Sequence, residues 1–600
     1  MKKRLVALGL TLCMVCSSIS MTAFAREEPA VSLLSSENEA DRSMLFNDGW
    51  KFLLGDPGGA ESKDFDDTSW RSLDLPHDWS IEFDFNYNSP ATSECGYLDG
   101  GTGWYRKTFV LPESMKDKEI SIDFGGIYMN STTYVNGKSV GNYPYGYMPF
   151  TYNITDELVC DGKTKNVIAV KVVNQLQSSR WYSGSGIYRD VHLTVTDKVH
   201  VDHWGTQITT PDIENGSGKV DVTTKVKNDT DKEQTVQVRQ TVMDGNGQAV
   251  TEPVTSEDIT LPSGETQPVS QTTTVADPAL WSTKDPNLYY LKTDIVKGDK
   301  VLDSSESRFG FRYFEFTTDN GFYLNGEWMK LHGVCMHHDQ GSLGAVANYT
   351  AIERQMRIMK DMGVNAIRVT HNPADDKLIE ICDKMGLMVI DEAFDTWQGG
   401  KKTYDYGRFF TKAATHPDAE PGQTWAEFDI KNMVERGKNY PSIIMWSIGN
   451  EIWTTNSSEG VQTAKNLVKW VKEIDTTRPT TIGEDKFRGN MSDTSSNLGN
   501  ANMVAVFDAV DVPGLNYSEN RYDAQHREKP DWALYGSEIA SATSSRGVYA
   551  HPDTVNSGAS IPFQQSSYDT DCVGWGRTAQ DSLVRDRDRK FVAGEFINRR

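Results

Sequence analysis

Two glutamates stand where a short apolar run ends: Glu451 follows residues 443–450 (IIMWSIGN), and Glu538 follows residues 533–537 (ALYGS). A carboxylate just past a buried strand lies at the strand's C-terminal mouth, where α/β enzymes assemble their sites. Two carboxyl groups suit cleavage of a glycosidic bond, one protonating the leaving oxygen and the other attacking or activating water. A lone strand-end acid more often caps the next helix. Two, each framed by small and aromatic residues, point to chemistry. Spacing along the chain gives no distance in space, so retention and inversion are equally open at this level.

Such groups need a framework, and residues 315–600 have the grammar of one. Eight strand-like runs fall at 328–334, 366–370, 388–391, 443–448, 480–483, 510–515, 533–535 and 590–593. Helical spacing appears at 351–362, 375–385, 427–438 and 461–474, with Thr350 as a cap and Gly363 as a stop for the first. The alternation predicts a (β/α)8 TIM barrel, and in a barrel the strand ends share one face. After successive runs come His337, His338 and Asp339; His371 and Asn372, with Arg368 inside the run's end; Asp391, Glu392 and Asp395; Asn450 and Glu451; Glu484 and Asp485; Asn516 and Tyr517; and Glu538. Polar loops supply several such residues by chance. So dense a succession of Glu, Asp, His, Arg and Asn is read as functional.

Arg368 and Tyr517 can keep a nucleophilic carboxylate ionised, while Trp446 and Trp453 can offer apolar surroundings that keep Glu451 protonated. The cluster of His337, His338, Asp339 and His371 admits a metal reading. Adjacent histidines on an extended chain diverge, however, and no HExxH helix is present. Hydrogen bonding to sugar hydroxyls is therefore preferred for His337 and His371, with His338 balanced between structure and function. No metal or other cofactor is expected.

At 600 residues the chain is multidomain. Residues 45–199 alternate apolar and polar positions between Gly, Asn, Asp and Pro, which predicts a jelly-roll β-sandwich with an Asn136-Gly137 hairpin. Residues 200–314, rich in Thr and Val, suit an immunoglobulin-like β-sandwich. Residues 1–25 read as a signal peptide: Lys2-Lys3-Arg4, an apolar run from Leu5 to Val15 and the small-x-small site Ala23-Phe24-Ala25. The run is too short to span a bilayer, so secretion after cleavage at Ala25 is expected, with residues 26–44 a polar, disordered leader. The formal charge is −23, more negative by three without the signal, which argues against nucleic acid or an anionic membrane as partner and for a neutral substrate, and no later segment is long and apolar enough for membrane insertion. Five cysteines remain outside the signal (Cys95, Cys160, Cys335, Cys382, Cys572), scattered and without a CxxC pair, so neither a disulfide framework nor a zinc site is indicated.

With these residues assembled, the chain resembles glycoside hydrolase family 2, and within it the secreted bacterial β-galactosidases. The likeness runs from about Phe46 to Phe596 and includes residues 179–191 (SRWYSGSGIYRDV), 331–339 (LHGVCMHHD), 368–373 (RVTHNP), 391–395 (DEAFD), 483–488 (GEDKFR) and the two glutamate segments. The resemblance implies a retaining β-glycosidase with Glu451 as acid/base and Glu538 as nucleophile. It implies Asn450 on the sugar 2-hydroxyl, Tyr517 and Arg368 beside the nucleophile, His337 and His371 lining the sugar subsite, and Asp485 on galactose hydroxyls. Arg180 is implied as a contribution from the first sandwich, and an interface salt bridge is an equal reading. The expected partner is a β-galactoside glycan. The rival readings are a β-glucuronidase or β-mannosidase, or a non-catalytic sugar-binding remnant.

Two departures stand out. Some members hold magnesium with a Glu-x-His pair after strand three, and this chain has Asp395-Thr396-Trp397 there. Related chains also continue past the Gly-Glu-Phe-Ile segment into an aromatic residue, helix eight and further β domains, through which cell-surface association would run. Here Asn598-Arg599-Arg600 follows. The expectation is a barrel lacking its last helix, with an unclosed wall, poor stability and low activity.

Overall fold

The computed structural model describes residues 42–214, 216–488, 494, 498–543 and 572–599. The signal segment and most of the leader lie outside the described residues. The first strand, Ser43–Leu45, begins inside the span read as leader and pairs with Val191–Thr196.

Strand alternation builds the first sandwich. A six-stranded antiparallel sheet, centred on Gly101–Phe109 and Asn166–Asn174, faces a four-stranded one. Asn136 and Gly137, at φ 50° and 90°, turn Ser131–Val135 into Lys138–Tyr143, the left-handed geometry that an Asn-Gly hairpin needs. Trp50, Tyr105, Phe109, Phe124 and Phe150 fill the core. The second sandwich is organised by Ser217–Asn228, in which Val220, Val222, Thr224 and Val226 point inward at every second position. Its flanking strands are Val199–Thr209 and Thr266–Ala276.

The barrel strands are β1 Leu331–Met336, β2 Ala366–Val369, β3 Met388–Glu392, β4 Ile443–Asn450, β5 Thr480–Glu484, β6 Gly514–Asn516, β7 Leu534–Ala542 and β8 Val592–Arg599. They form a closed ring in chain order. The expected unclosed wall is therefore corrected: β8 pairs in parallel with β1, Leu331 against Gly594 through Val334 against Ile597. Gly333 makes this possible, because a Cβ there would meet Phe596 Cδ1 at 2.2 Å. Trp328, read as part of β1, lies instead in a hairpin with Gly321–Leu324. Asn325 and Gly326, at φ 52° and 80°, make the turn that separates it from the barrel.

Seven α-helices among the described residues all belong to the barrel. Helix α1, Tyr349–Asp361, is capped by Asn348, whose side chain accepts from the Ala351 N–H, and not by Thr350 as read from sequence. Asp375, Thr424 and Ser457 cap the next three, α2 Asp376–Met385, α3 Trp425–Gly437 and α4 Ser458–Lys472. No helix among the described residues is long and apolar enough to cross a membrane. Cys95, Cys160, Cys335 and Cys382 carry free thiols.

Candidate active site

The strand ends converge around Arg368, the third residue of β2, which is fully buried. Its guanidinium forks onto Glu392 at the end of β3, with Nη2 to Oε2 2.7 Å and Nε to Oε2 3.0 Å. Nη2 also donates to Asn450 Oδ1 (3.0 Å), and Nη1 to Glu538 Oε2 (3.2 Å) and the Ser537 carbonyl (3.0 Å). One planar cation thus fixes three strands at once.

Glu538 sits mid-way along β7, which runs on to Ala542. Tyr517 donates its hydroxyl to Oε1. Asn598, on β8, donates to the same oxygen at 2.5 Å and to the Tyr517 hydroxyl at 3.0 Å. Tyr517 itself stands at φ 52°, its N–H held by the Glu538 carbonyl at 2.7 Å. A non-glycine residue in the left-handed region is retained only where surrounding structure enforces it.

Glu451 follows β4 at φ 47°, with its N–H on the Gly483 carbonyl (2.7 Å). The next residue is pinned as well, Ile452 N–H donating to Glu484 Oε1 at 2.8 Å. Asn516 Nδ2 bridges the two glutamates, 3.1 Å from Glu451 Oε1 and 3.5 Å from Glu538 Oε2. Laid end to end, those contacts limit the two oxygens to at most about 6.6 Å apart. Desolvation, then the charges of Glu538 and Asp485, raise the Glu451 pKa, while Lys401 and Asn516 pull it the other way. Trp446 and Trp453 are not the cause. Trp446 is buried in the core with Nε1 on Asp475 (2.9 Å), and Trp453 is 60% exposed.

Burial, then the positive charge of Arg368, pushes His371 well below the usual histidine range. The ring is neutral, Nδ1–H donating to Glu392 Oε1 (2.7 Å) and leaving Nε2 to accept from Asn450 Nδ2 (3.4 Å). Burial raises Glu392, with Arg368 and Ser447 opposing it. His337 packs 5.6 Å from His371 and 4.9 Å from Trp181, ring centre to ring centre. His338 turns away to the Ser183 carbonyl (3.2 Å). The histidines thus diverge, and no group of three His, Cys, Asp or Glu among the described residues could hold a metal ion.

Arg180 reaches from the first sandwich and grips Asp395 with Nη2–Oδ1 2.6 Å and Nε–Oδ2 2.9 Å. Asp485 lies beyond β5, half-buried and paired with Lys486 (3.0 Å). All nine residues singled out from sequence therefore line or flank one mouth, with His337 and Asp485 toward its rim. Sequence reasoning noticed Glu392 and Asn516 but gave them no role. It missed Asn598, Lys401 and Trp181 as site residues: the first is the last described side chain of β8, the second sits in a loop, and the third comes from another domain.

Three matches cover most of the chain: Glycosyl hydrolases family 2, sugar binding domain, at residues 67–197; Glycosyl hydrolases family 2 at 199–312; and Glycosyl hydrolases family 2, TIM barrel domain, at 316–582. Beta-galactosidase BoGH2A of Bacteroides ovatus is 37% identical over 607 residues, covering 94% of this chain and 68% of that one. The chain belongs to glycosyl hydrolase family 2. A putative beta-glucuronidase of Formosa agariphila is 36% identical over 80% of this chain and 44% of its own length. A family 2 member from Bacteroides cellulosilyticus superposes with a TM-score of 0.81 at 35% identity, over 93% of this chain and 65% of that one. A Bacteroides uniformis beta-glucuronidase gives a TM-score of 0.75 at 28% identity, over 92% of this chain and 64% of that one. The chain thus spans about two thirds or less of the length of these relatives.

Proposed function

We propose that the protein is a retaining exo-β-glycosidase that removes terminal non-reducing β-galactosyl residues by double displacement. The observation that carries this reading is the Asn516 bridge. It holds Glu451 and Glu538 within about 6.6 Å, shorter than nearly all of the inverting range of about 6.5–9.5 Å and compatible with the roughly 5–5.5 Å of retaining pairs. The two environments also differ in the sense the roles require. Glu451 has a raised pKa and serves as the acid, and Glu538 is ringed by Tyr517, Asn598 and Arg368 and serves as the nucleophile.

In the first step Glu538 attacks the anomeric carbon as Glu451 gives its proton to the departing glycosidic oxygen. In the second, Glu451 takes a proton from water, whose oxygen displaces Glu538 and restores its carboxylate. Asn450, steered by Arg368 and His371, presents its amide to the 2-hydroxyl, and His337 and His371 line the sugar. Arg180 and Trp181 of the first sandwich stand over the barrel mouth, which suits a terminal sugar.

The galactoside preference rests on charge. Arg180, Lys401 and Lys486 are each committed to carboxylates, and Asp485 adds negative charge beside Glu451, which disfavours a uronate. A β-glucuronidase is the second reading, favoured by the two glucuronidase relatives and by Arg488, whose guanidinium lies 5.4 Å from the Trp575 ring beside Tyr517. Hydrolysis of aryl β-galactoside, β-glucuronide and β-mannoside by the same preparation decides between them. A dominant galactoside kcat/KM is expected, and a dominant glucuronide rate overturns the preference while leaving the two-step chemistry intact. The Lys2-Lys3-Arg4, apolar-run and Ala23-Phe24-Ala25 pattern supports action outside the cytoplasm.

A further inference from the structure

We infer that Lys401, in the loop after β3, is a positioning residue that ties the first sandwich to proton transfer at Glu451. The inference rests on the assignment of Glu451 as the acid. Lys401 is buried, its side chain 3% exposed, and its ammonium donates to Asp395 Oδ1 (2.9 Å) and to the Asn450 carbonyl (2.8 Å). That carbonyl belongs to the peptide joining Asn450 to Glu451, and Glu451 is the residue held at φ 47°. The ammonium therefore clamps the peptide that aims the acid, in a conformation that needs external support.

The clamp is built from the other domain. Asp395 is shared between Lys401 and Arg180, so the bidentate Arg180–Asp395 pair presents the carboxylate that receives Lys401. Burial works against the Asp395 charge, yet Lys401 and Arg180 hold its carboxyl well below the usual range. The loop itself is moored to the sandwich. Tyr404 N–H donates to the Gln177 carbonyl (2.9 Å), Lys402 pairs with Glu94, and Asp405 Oδ2 accepts from the Lys401 and Lys402 N–H groups at 2.6 and 2.7 Å. A Cβ at Gly400 would meet Asp405 Oδ1 at 2.6 Å, so the turn closes tightly on that acceptor. Burying an ammonium is costly unless the site repays it, and here a neutral side chain could not make the same two contacts with the same charge.

The charged and titratable groups facing Glu451 are Glu538 from β7, Asp485 after β5, Tyr517 after β6, Arg180 from the sandwich and Lys401 from the loop after β3. Glu538 and Asp485 favour its protonated form, and Lys401 opposes them. Removing the positive charge of Lys401 lets Glu451 keep its proton to higher pH. Acid catalysis then fades later as pH rises.

The test is the pH dependence of kcat/KM for the full chain on its best aryl β-glycoside. Lys401→Met and Lys401→Gln should move the alkaline limb upward by about half a pH unit or more, whereas Lys401→Arg should leave it in place. Lys401→Gln keeps a donor for the Asn450 carbonyl, so its profile decides the matter where Lys401→Met fails to fold. Glu451→Gln separates the two assignments. A limb abolished in Glu451→Gln but unmoved in both neutral Lys401 variants overturns the role of Lys401 alone. A limb that survives in Glu451→Gln overturns the acid assignment and the role of Lys401 with it.

Discussion

Replacing Tyr517 with Phe deletes one oxygen from the ring of donors around Glu538. The phenyl ring keeps its edge contact with Trp575, 4.7 Å between ring centres, so packing is preserved. Glu538 Oε1 loses its Tyr517 donor but keeps Asn598 at 2.5 Å, and Oε2 keeps Arg368 at 3.2 Å. A hydrogen bond to a charged group contributes about 1.5–3 kcal/mol. With Asn598 still on the same oxygen the lower part of that range applies, about 1.5–2 kcal/mol, or a roughly 10- to 30-fold loss of kcat/KM. Asn598→Ala acts on the same atom, so the double variant should lose more than the product of the single effects, because Oε1 is then left without either donor. Steady-state kinetics on an aryl β-glycoside, with thermal melts to check folding, gives all three values. A Tyr517→Phe enzyme within threefold of the parent refutes the reasoning. So does a double variant whose loss is merely the product of the two.

Two further outcomes follow from the scaffold. Burial works to raise Asp475, but Arg478, Thr477 and Trp446 more than offset it and hold its carboxyl at about 2, against 3.8 for a free aspartate. A depressed folded-state value gives stability that is present above the unfolded value and lost as pH falls toward 2, worth about 2 kcal/mol at neutral pH. Asp475→Asn should lower Tm at pH 7, the gap to the parent narrowing between pH 5 and 2; an equal gap at every pH in a melt series contradicts this. Arg180→Met strips Asp395 of its bidentate partner, a pair only partly exposed, and should cost about 2–3 kcal/mol of stability. KM should stay within threefold if the arginine is an interface strut; a large rise in KM without a change in Tm would mark it instead as a sugar contact.

The barrel was legible because strand and helix periods alternate within a few residues of each other, and because its reactive side chains sit at strand ends. Local ambiguities caused the errors. Trp328 is apolar enough to extend β1, yet the Asn325-Gly326 turn places it in a separate hairpin. Thr350 and Asn348 are both cap residues, and only the hydrogen bond to Ala351 N–H distinguishes them. Ring closure was beyond reach, since the pairing of β8 with β1 joins residues more than 250 positions apart and turns on Phe596 filling the space beside Gly333. Within the site, Glu451, Glu538, Arg368 and Tyr517 carry strand-end signals. Lys401 and Trp181 carry none, because their positions are set by domain docking. Asn598 was passed over because an aromatic was expected there, yet its amide reaches the carboxylate of Glu538.

The central claim is that Glu538 forms the covalent bond and Glu451 moves the proton. Incubation with a 2-deoxy-2-fluoro-β-galactosyl fluoride, followed by peptide mapping in a mass spectrometer, tests it most directly. The 2-fluoro substituent slows both steps and the activated fluoride leaving group restores only the first, so the intermediate accumulates. The account predicts one fluorogalactosyl group per chain, carried on the peptide containing Glu538 and absent from a Glu538→Gln variant. A label on Glu451, or turnover that first releases the α-anomer with no label anywhere, contradicts it.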